Sequence, residues 1–248
     1  MGNNIMNITE DIIKELEQKS IYVITQSDDA YPNRLRRLLK KAPPFLYYCG
    51  NIALANMNGV AIVGSRIIDA EAEQYAISLA KKAAAEGYVV CSGGAIGIDR
   101  ISETAALNSG GCCISFLADS MIKKSQQPEI RDAVMNGKML LLSAVKPDAP
   151  FNTGNAMSRN RYIYAMSQCA FVVASTYNKG GTWAGASESI KSRLINTYVW
   201  DNPKYDGNKQ LIIKGGVGIG DPELFSIADL ANAEIQTYPE QLSLFEDI

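Results

Sequence analysis

The sequence predicts an α/β fold: a mostly parallel sheet flanked by helices, with a short acidic C-terminal tail. Two observations carry that prediction. Residues 60–66 (VAIVGSR) and 89–99 (VVCSGGAIGID) each read as a buried apolar strand running into a glycine turn. Between them, residues 70–86 place Ala72, Ala76, Leu79, Ala80, Ala83 and Ala84 at helical spacing. This is the strand–helix–strand unit of a parallel sheet. Strand ends in such sheets open onto the crevice where phosphate-bearing ligands bind.

The remaining elements follow in order. Residues 8–19 predict a short amphipathic helix and 21–25 a strand. Tyr31-Pro32 begins a helix with a basic face (Arg34, Arg36, Arg37, Lys40, Lys41), stopped by Ala42-Pro43-Pro44,. Residues 45–49 read as a strand, and a helix after Asp99 runs to about Asn108, closed by Gly110-Gly111. Strands are expected at 112–117, 139–143, 170–174, 198–200 and 211–213, and helices at 128–135, 158–167 and 182–193. The expected organisation is an N-terminal helical stub (1–20), one domain (21–216) and the tail (217–248).

The chain has 248 residues, 47% of them hydrophobic, enough to bury a sizeable core,. Residues 1–20 lack the order of a secretory signal, Met6 disfavours N-myristoylation, and no apolar run reaches membrane-spanning length,. The five cysteines form no C-x-x-C pair, so reduced thiols in a cytoplasmic protein are expected,. The chain contains no histidine, which excludes a histidine-based triad or zinc site,. Net charge is −2, but seven of the 26 acidic residues and none of the 24 basic ones follow residue 216. Residues 1–216 therefore carry 24 basic against 19 acidic side chains, a net of +5. A basic groove is compatible with that distribution.

Four segments offer anion chemistry. Gly64-Ser65-Arg66 combines backbone N–H groups, a hydroxyl and a guanidinium, although Gly64 also fits a plain tight turn,. Ser92, Gly93, Gly94 and Gly97 allow backbone to approach phosphate, and Asp99 is expected to cap the next helix,. Arg159-Asn160-Arg161 sets two guanidiniums at an expected helix start,. Lys179-Gly180-Gly181-Thr182 suits phosphate and equally suits a simple connection. Phe151, Tyr162 and Tyr164 are candidates for base stacking or for the core,.

In order, YPNRL (31–35), APPFLYYCGN (42–51), VAIVGSR, VVCSGGAIGID, SRNRYIYAMS (158–167), FVVASTYNKGGTWAGASES (171–189) and LIIKGG (211–216) resemble the DNA-processing protein A family, also called Smf. The resemblance covers roughly residues 21–216. It implies an extended Rossmann-like domain that binds single-stranded DNA and helps load a RecA-type recombinase during transformation and recombination. It also implies a homodimer formed through that domain. Departures are the missing histidine in SETAAL (102–107), the segment PFNTGNAMS before Arg159, Ser175 in place of an acidic residue, and no winged-helix domain. These bear on transformation and recombinase loading rather than on the groove. No catalytic residue, metal or cofactor is assigned.

The tail carries a separate signal. Gln241-Leu242-Ser243-Leu244-Phe245 matches the short peptide by which bacterial replication and repair proteins hold the sliding clamp,. The same residues also suit packing against their own domain. Two other functional classes stay open: a sensor of a nucleotide-derived signal, and a nucleotide hydrolase. For the latter, Lys179–Thr182 followed by Glu188 faintly resembles the Gly-Gly-Thr/Glu signature of lysine-decarboxylase-like phosphoribohydrolases.

Overall fold

The computed structural model describes residues 10–235. The elements are α1 (Glu10–Gln18), β1 (Tyr22–Thr25), α2 (Asn33–Leu38), β2 (Phe45–Gly50), β3 (Gly59–Val63), α3 (Ala70–Ala85), β4 (Val89–Ser92) and α4 (Ile98–Asn108). They continue with β5 (Cys113–Leu117), α5 (Met121–Ser125), α6 (Pro128–Met135), β6 (Met139–Ser143), α7 (Thr153–Met166), β7 (Cys169–Val172) and α8 (Gly180–Ser192). The last are β8 (Asn196–Trp200), α9 (Asp206–Ile213), β9 (Val217–Ile219) and α10 (Ile227–Asn232).

Among the described residues nine strands form one sheet in the order β1-β2-β6-β5-β4-β3-β7-β8-β9. From β6 to β9 every neighbouring pair is parallel, while β1 and β2 add an antiparallel edge. The chain starts the parallel part at β3, moves through β4 and β5 to β6, then crosses back to β7 on the other side of β3. The β3/β7 boundary is therefore the point where strand order reverses. Loops leaving neighbouring strands there diverge to opposite faces and leave a crevice between them.

Helices cover both faces of the sheet, and side-chain alternation in the strands feeds both layers. Val60 and Ile62 of β3 pack with Tyr75, Leu79, Ile98 and Ala106 of α3 and α4. Ala61 and Val63 face the other layer, with Ile163 and Tyr164 of α7, Trp183 of α8 and Leu35 of α2. A third cluster joins Leu16 of α1 to Tyr47, Met121, Met139 and Leu141.

Three expectations change. Leu211-Ile212-Ile213 is helical, not extended: Leu211 is buried, Ile213 is 67% exposed, and the following strand is β9. A three-residue apolar run has too little length to tell strand from helix. The domain also continues past 216. Strand β9 pairs with β8, Ile227 is buried, and Phe225 stacks on Phe171 with centroids 6.0 Å apart. Glu86 at the end of α3 accepts a hydrogen bond from the Ala228 N–H at 3.0 Å, tying α10 down. Finally, α7 begins at Thr153, five residues earlier than expected, because Asn152 caps it by accepting from the Gly154 and Asn155 N–H groups,. Among the described residues no helix is long and apolar enough to cross a membrane.

Candidate nucleic-acid interface

A crevice of about 640 Å³ opens at the β3/β7 boundary. Its walls come from the turn after β3, the turn after β4, the first half of α7 and the segment from Ser175 to Thr182. Arg66 and Lys179 are exposed at it. Phe151 is 54% exposed, and the Arg66 guanidinium lies 5.5 Å from its ring centre. A cation over a ring face is attracted by the ring quadrupole. The pair thus offers one positive charge and one stacking surface side by side.

The turn after β3 is held from both sides. The Ser65 N–H donates to the Ala174 carbonyl after β7 at 2.8 Å, and the Thr182 hydroxyl donates to the Gly64 carbonyl at 2.8 Å. The Ser65 hydroxyl accepts from the Ile67 N–H at 3.2 Å. These bonds engage the Ser65 N–H and the Thr182 hydroxyl within the protein, leaving the Arg66 side chain as the outward group. Asn160 of α7 donates to the Gly181 carbonyl at 2.9 Å, so α7 fixes the first turn of α8.

The turn after β4 faces inward. The Ser92 hydroxyl is fully buried and donates to the Ile62 carbonyl at 3.0 Å. The Gly93 N–H donates to Asp99 Oδ2 at 3.2 Å. Asp99 therefore does not cap α4; it is the second residue of that helix, and Gly97 stands at the cap without a side-chain bond. Arg159 lies directly across Gly93, where a Cβ would overlap the guanidinium. Gly97 has φ +88°, and a Cβ there would overlap the Ser65 carbonyl, so glycine lets the two turns touch. Gly94 approaches Ser115 and Lys124.

Arg159 and Arg161 part company. Arg159 is 8% exposed, donates to the Phe116 carbonyl at 3.3 Å and stands 4.0 Å from Asp99, while its buried Nε has no partner. Burial lowers its proton affinity, and Asp99 counters that shift. Burial likewise pushes the Asp99 carboxyl above the usual range, against the pull of Arg159. Arg159 thus forms the back wall. Arg161 leaves the other side of α7, where its Nε donates to Glu188 at 2.9 Å. Both residues line a separate groove with Leu38, Leu39, Lys40 and Lys41. The helix-start setting expected for Arg159-Asn160-Arg161 does not hold, since all three lie beyond the first turn of α7,. Two residues apart on a helix is a rotation of about 200°, which separates the arginines.

Tyr164 is buried and Tyr162 packs at 5.0 Å against Phe116, so neither presents a stacking face as Phe151 does. Glu188 does not line the crevice, which leaves the glutamate-based hydrolase reading without its carboxylate there. Among the described residues no cluster suited to a metal ion occurs. The segment 241–245 lies outside the described residues. Sequence reading missed Glu103 and Lys124 behind the Gly94 turn. The signal was the four-residue spacing of Asp99 and Glu103, which puts two acids on one face of a helix,.

Residues 22–223 match the family model of DNA recombination-mediator protein A. Protein Smf of Escherichia coli (strain K12) is 26% identical over 212 residues, covering 84% of this chain and 56% of the relative. DNA processing protein DprA of Streptococcus pneumoniae is 30% identical over 158 residues, covering 62% and 54%. The chain spans about half the length of the curated relatives it matches. The X-ray structure of DprA from Streptococcus pneumoniae superposes with a TM-score of 0.75 at 23% identity, covering 90% of this chain and 78% of that one. DNA processing protein A from Helicobacter pylori, a single-stranded DNA binder, superposes at 0.68 with 26% identity, covering 83% and 93%.

Proposed function

Because the chain belongs to the DNA recombination-mediator protein A family, we propose that it is a single-stranded DNA-binding factor of DNA processing and recombination, acting without catalysis. The observation that carries this reading is the outward set Arg66, Phe151 and Lys179 at the strand-end crevice. Cations supply affinity for the phosphate backbone, and an exposed ring accepts any base by stacking. Both modes bind a strand without reading its sequence. The Helicobacter pylori relative, which shares the fold, binds single-stranded DNA.

The test is a fluorescence-anisotropy titration with labelled oligo-dT at two salt concentrations, for the native protein and Arg66→Ala. Binding that weakens steeply with salt, and is about tenfold weaker in the variant, is expected from loss of one phosphate contact. No binding by the native protein at low salt overturns the reading.

The partners follow as part of the same proposal. The protein forms a homodimer, and residues 241–245 engage a sliding clamp. A synthetic peptide of the tail is expected to bind purified clamp, and changing Leu244 and Phe245 to Ala is expected to abolish that binding. A RecA-type recombinase is the further partner that family membership suggests.

A further inference from the structure

Behind the Gly94 turn lies a charged cluster whose outer members, Asp99 and Arg159, line the crevice and whose inner member, Glu103, does not. Glu103 stands one helical turn after Asp99 on the buried face of α4 and is 3% exposed,. Its carboxylate accepts a hydrogen bond from the Ser115 hydroxyl of β5. Lys124 of α5 reaches the same turn and donates to the Gly94 carbonyl at 3.0 Å. The charged and titratable groups facing Glu103 are Asp99 on its own helix, Cys91 on β4, Cys113 on β5, Lys124 on α5 and Arg159 on α7. Burial pushes the Glu103 carboxyl up to about 7, with Ser115 and Lys124 pulling it down and Asp99 adding to the rise. Burial also raises both thiols, Cys91 to about 11 and Cys113 well above its ordinary value, so they stay neutral near pH 7.

Two carboxylates therefore share one buried guanidinium and one half-buried ammonium on the inner side of the turn. The outer side of the turn borders the crevice. A phosphate seated there adds negative charge beside Asp99 and Arg159, the groups that interact electrostatically with Glu103, and a like charge disfavours ionisation of a carboxyl,. Protonation of Glu103 and occupation of the crevice by an anion consequently favour each other, as linkage requires.

We propose that Glu103 is a proton-linked positioning residue of the crevice: a single strand entering it draws a proton onto Glu103, and affinity for the strand rises as pH falls through neutrality. This rests on the reading of the crevice as a single-strand groove. The absence of histidine sharpens it, because the side chain that ordinarily titrates between pH 5 and 8 is missing from the whole chain,.

The experiment is an oligo-dT titration by anisotropy at pH 6, 7 and 8 and constant ionic strength, on the native protein, Glu103→Gln and Ser115→Ala. Calorimetry in two buffers of different ionisation enthalpy reads proton uptake directly. Native affinity is expected to fall about fivefold from pH 6 to pH 8, the effect over that window of a one-unit rise on binding in a carboxyl that titrates at about 7 in the free protein,. Glu103→Gln is expected to bind with no pH dependence and no proton uptake. Ser115→Ala removes a bond that favours the carboxylate, so its pH midpoint moves upward. A native pH slope retained by Glu103→Gln overturns the inference, as does equal native binding at pH 6 and 8 without proton uptake. If Glu103→Gln does not fold, an unmoved midpoint in Ser115→Ala overturns it. A native protein that binds no strand at any pH instead refutes the groove reading beneath it.

Discussion

After β3 the chain turns at Gly64 and sends Arg66 outward; after β4 it turns at Gly93 and sends its polar groups inward. In sequence the two turns look alike, each an apolar strand followed by Gly and Ser. In the fold they serve opposite sides of one wall. The first turn is fastened by Ala174 and Thr182 and presents a guanidinium beside Phe151. The second is fastened by Asp99 and Lys124, with Arg159 laid across it. Glycine in such a turn reports only that something comes close to the backbone. Whether the neighbour is a ligand or another part of the protein depends on what the fold brings there.

That contrast can be broken at four points. Arg159→Ala is expected to have the largest effect, since it strands the buried Asp99 without its guanidinium. A loss of about 3 kcal/mol in urea denaturation is expected from removing one partner of a buried pair. Native-like stability in this variant would place Arg159 with the outward group. Next comes Gly97→Ala, where the positive φ and the overlap with Ser65 act together. A loss of about 2 kcal/mol is expected in the same assay, felt by both turns.

Arg66→Ala sharpens the comparison from the other side. Its thermal midpoint should match the native protein, while the slope of log affinity for oligo-dT against log salt falls by about one. A large drop in melting temperature would mean that the first turn is structural as well. The smallest effect is expected for Arg161→Ala. Its partner Glu188 is exposed, so stability should change by less than about 0.5 kcal/mol and strand affinity by less than about twofold,. Stronger loss of DNA binding would extend the interface to the outer side of α7.

Much of the fold was legible because its signals are local. The helix at 70–85 follows from an alanine-rich apolar stripe, of which Ala72, Ala76, Leu79, Ala80 and Ala83 are buried, while Ala84 is half-buried and Tyr75 joins the buried face. The strands at 59–63, 89–92 and 139–143 are short continuous apolar runs, as a sheet covered on both faces demands,. The failure at 211–213 came from the same kind of run, where buried Leu211 and exposed Ile213 belong to a helix. The domain end was misplaced because acidity suggested a tail, whereas Phe225 and Ile227 hold that stretch to the sheet.

The site divides in the same way. Sequence alone determined which segments converge, since strand ends of a parallel sheet meet at the reversal of strand order and the motifs sit at those ends. It also determined the missing histidine and hence the chemistry that is unavailable. Only the tertiary structure decided which polar groups remain for a ligand. Ser92 and Arg159 are engaged by residues distant in the chain, at Ile62 and Phe116. A hydrogen bond acts over about 3 Å, and separations of that size between remote segments arise only from packing. Residue type names what a group can do, and burial decides what it does.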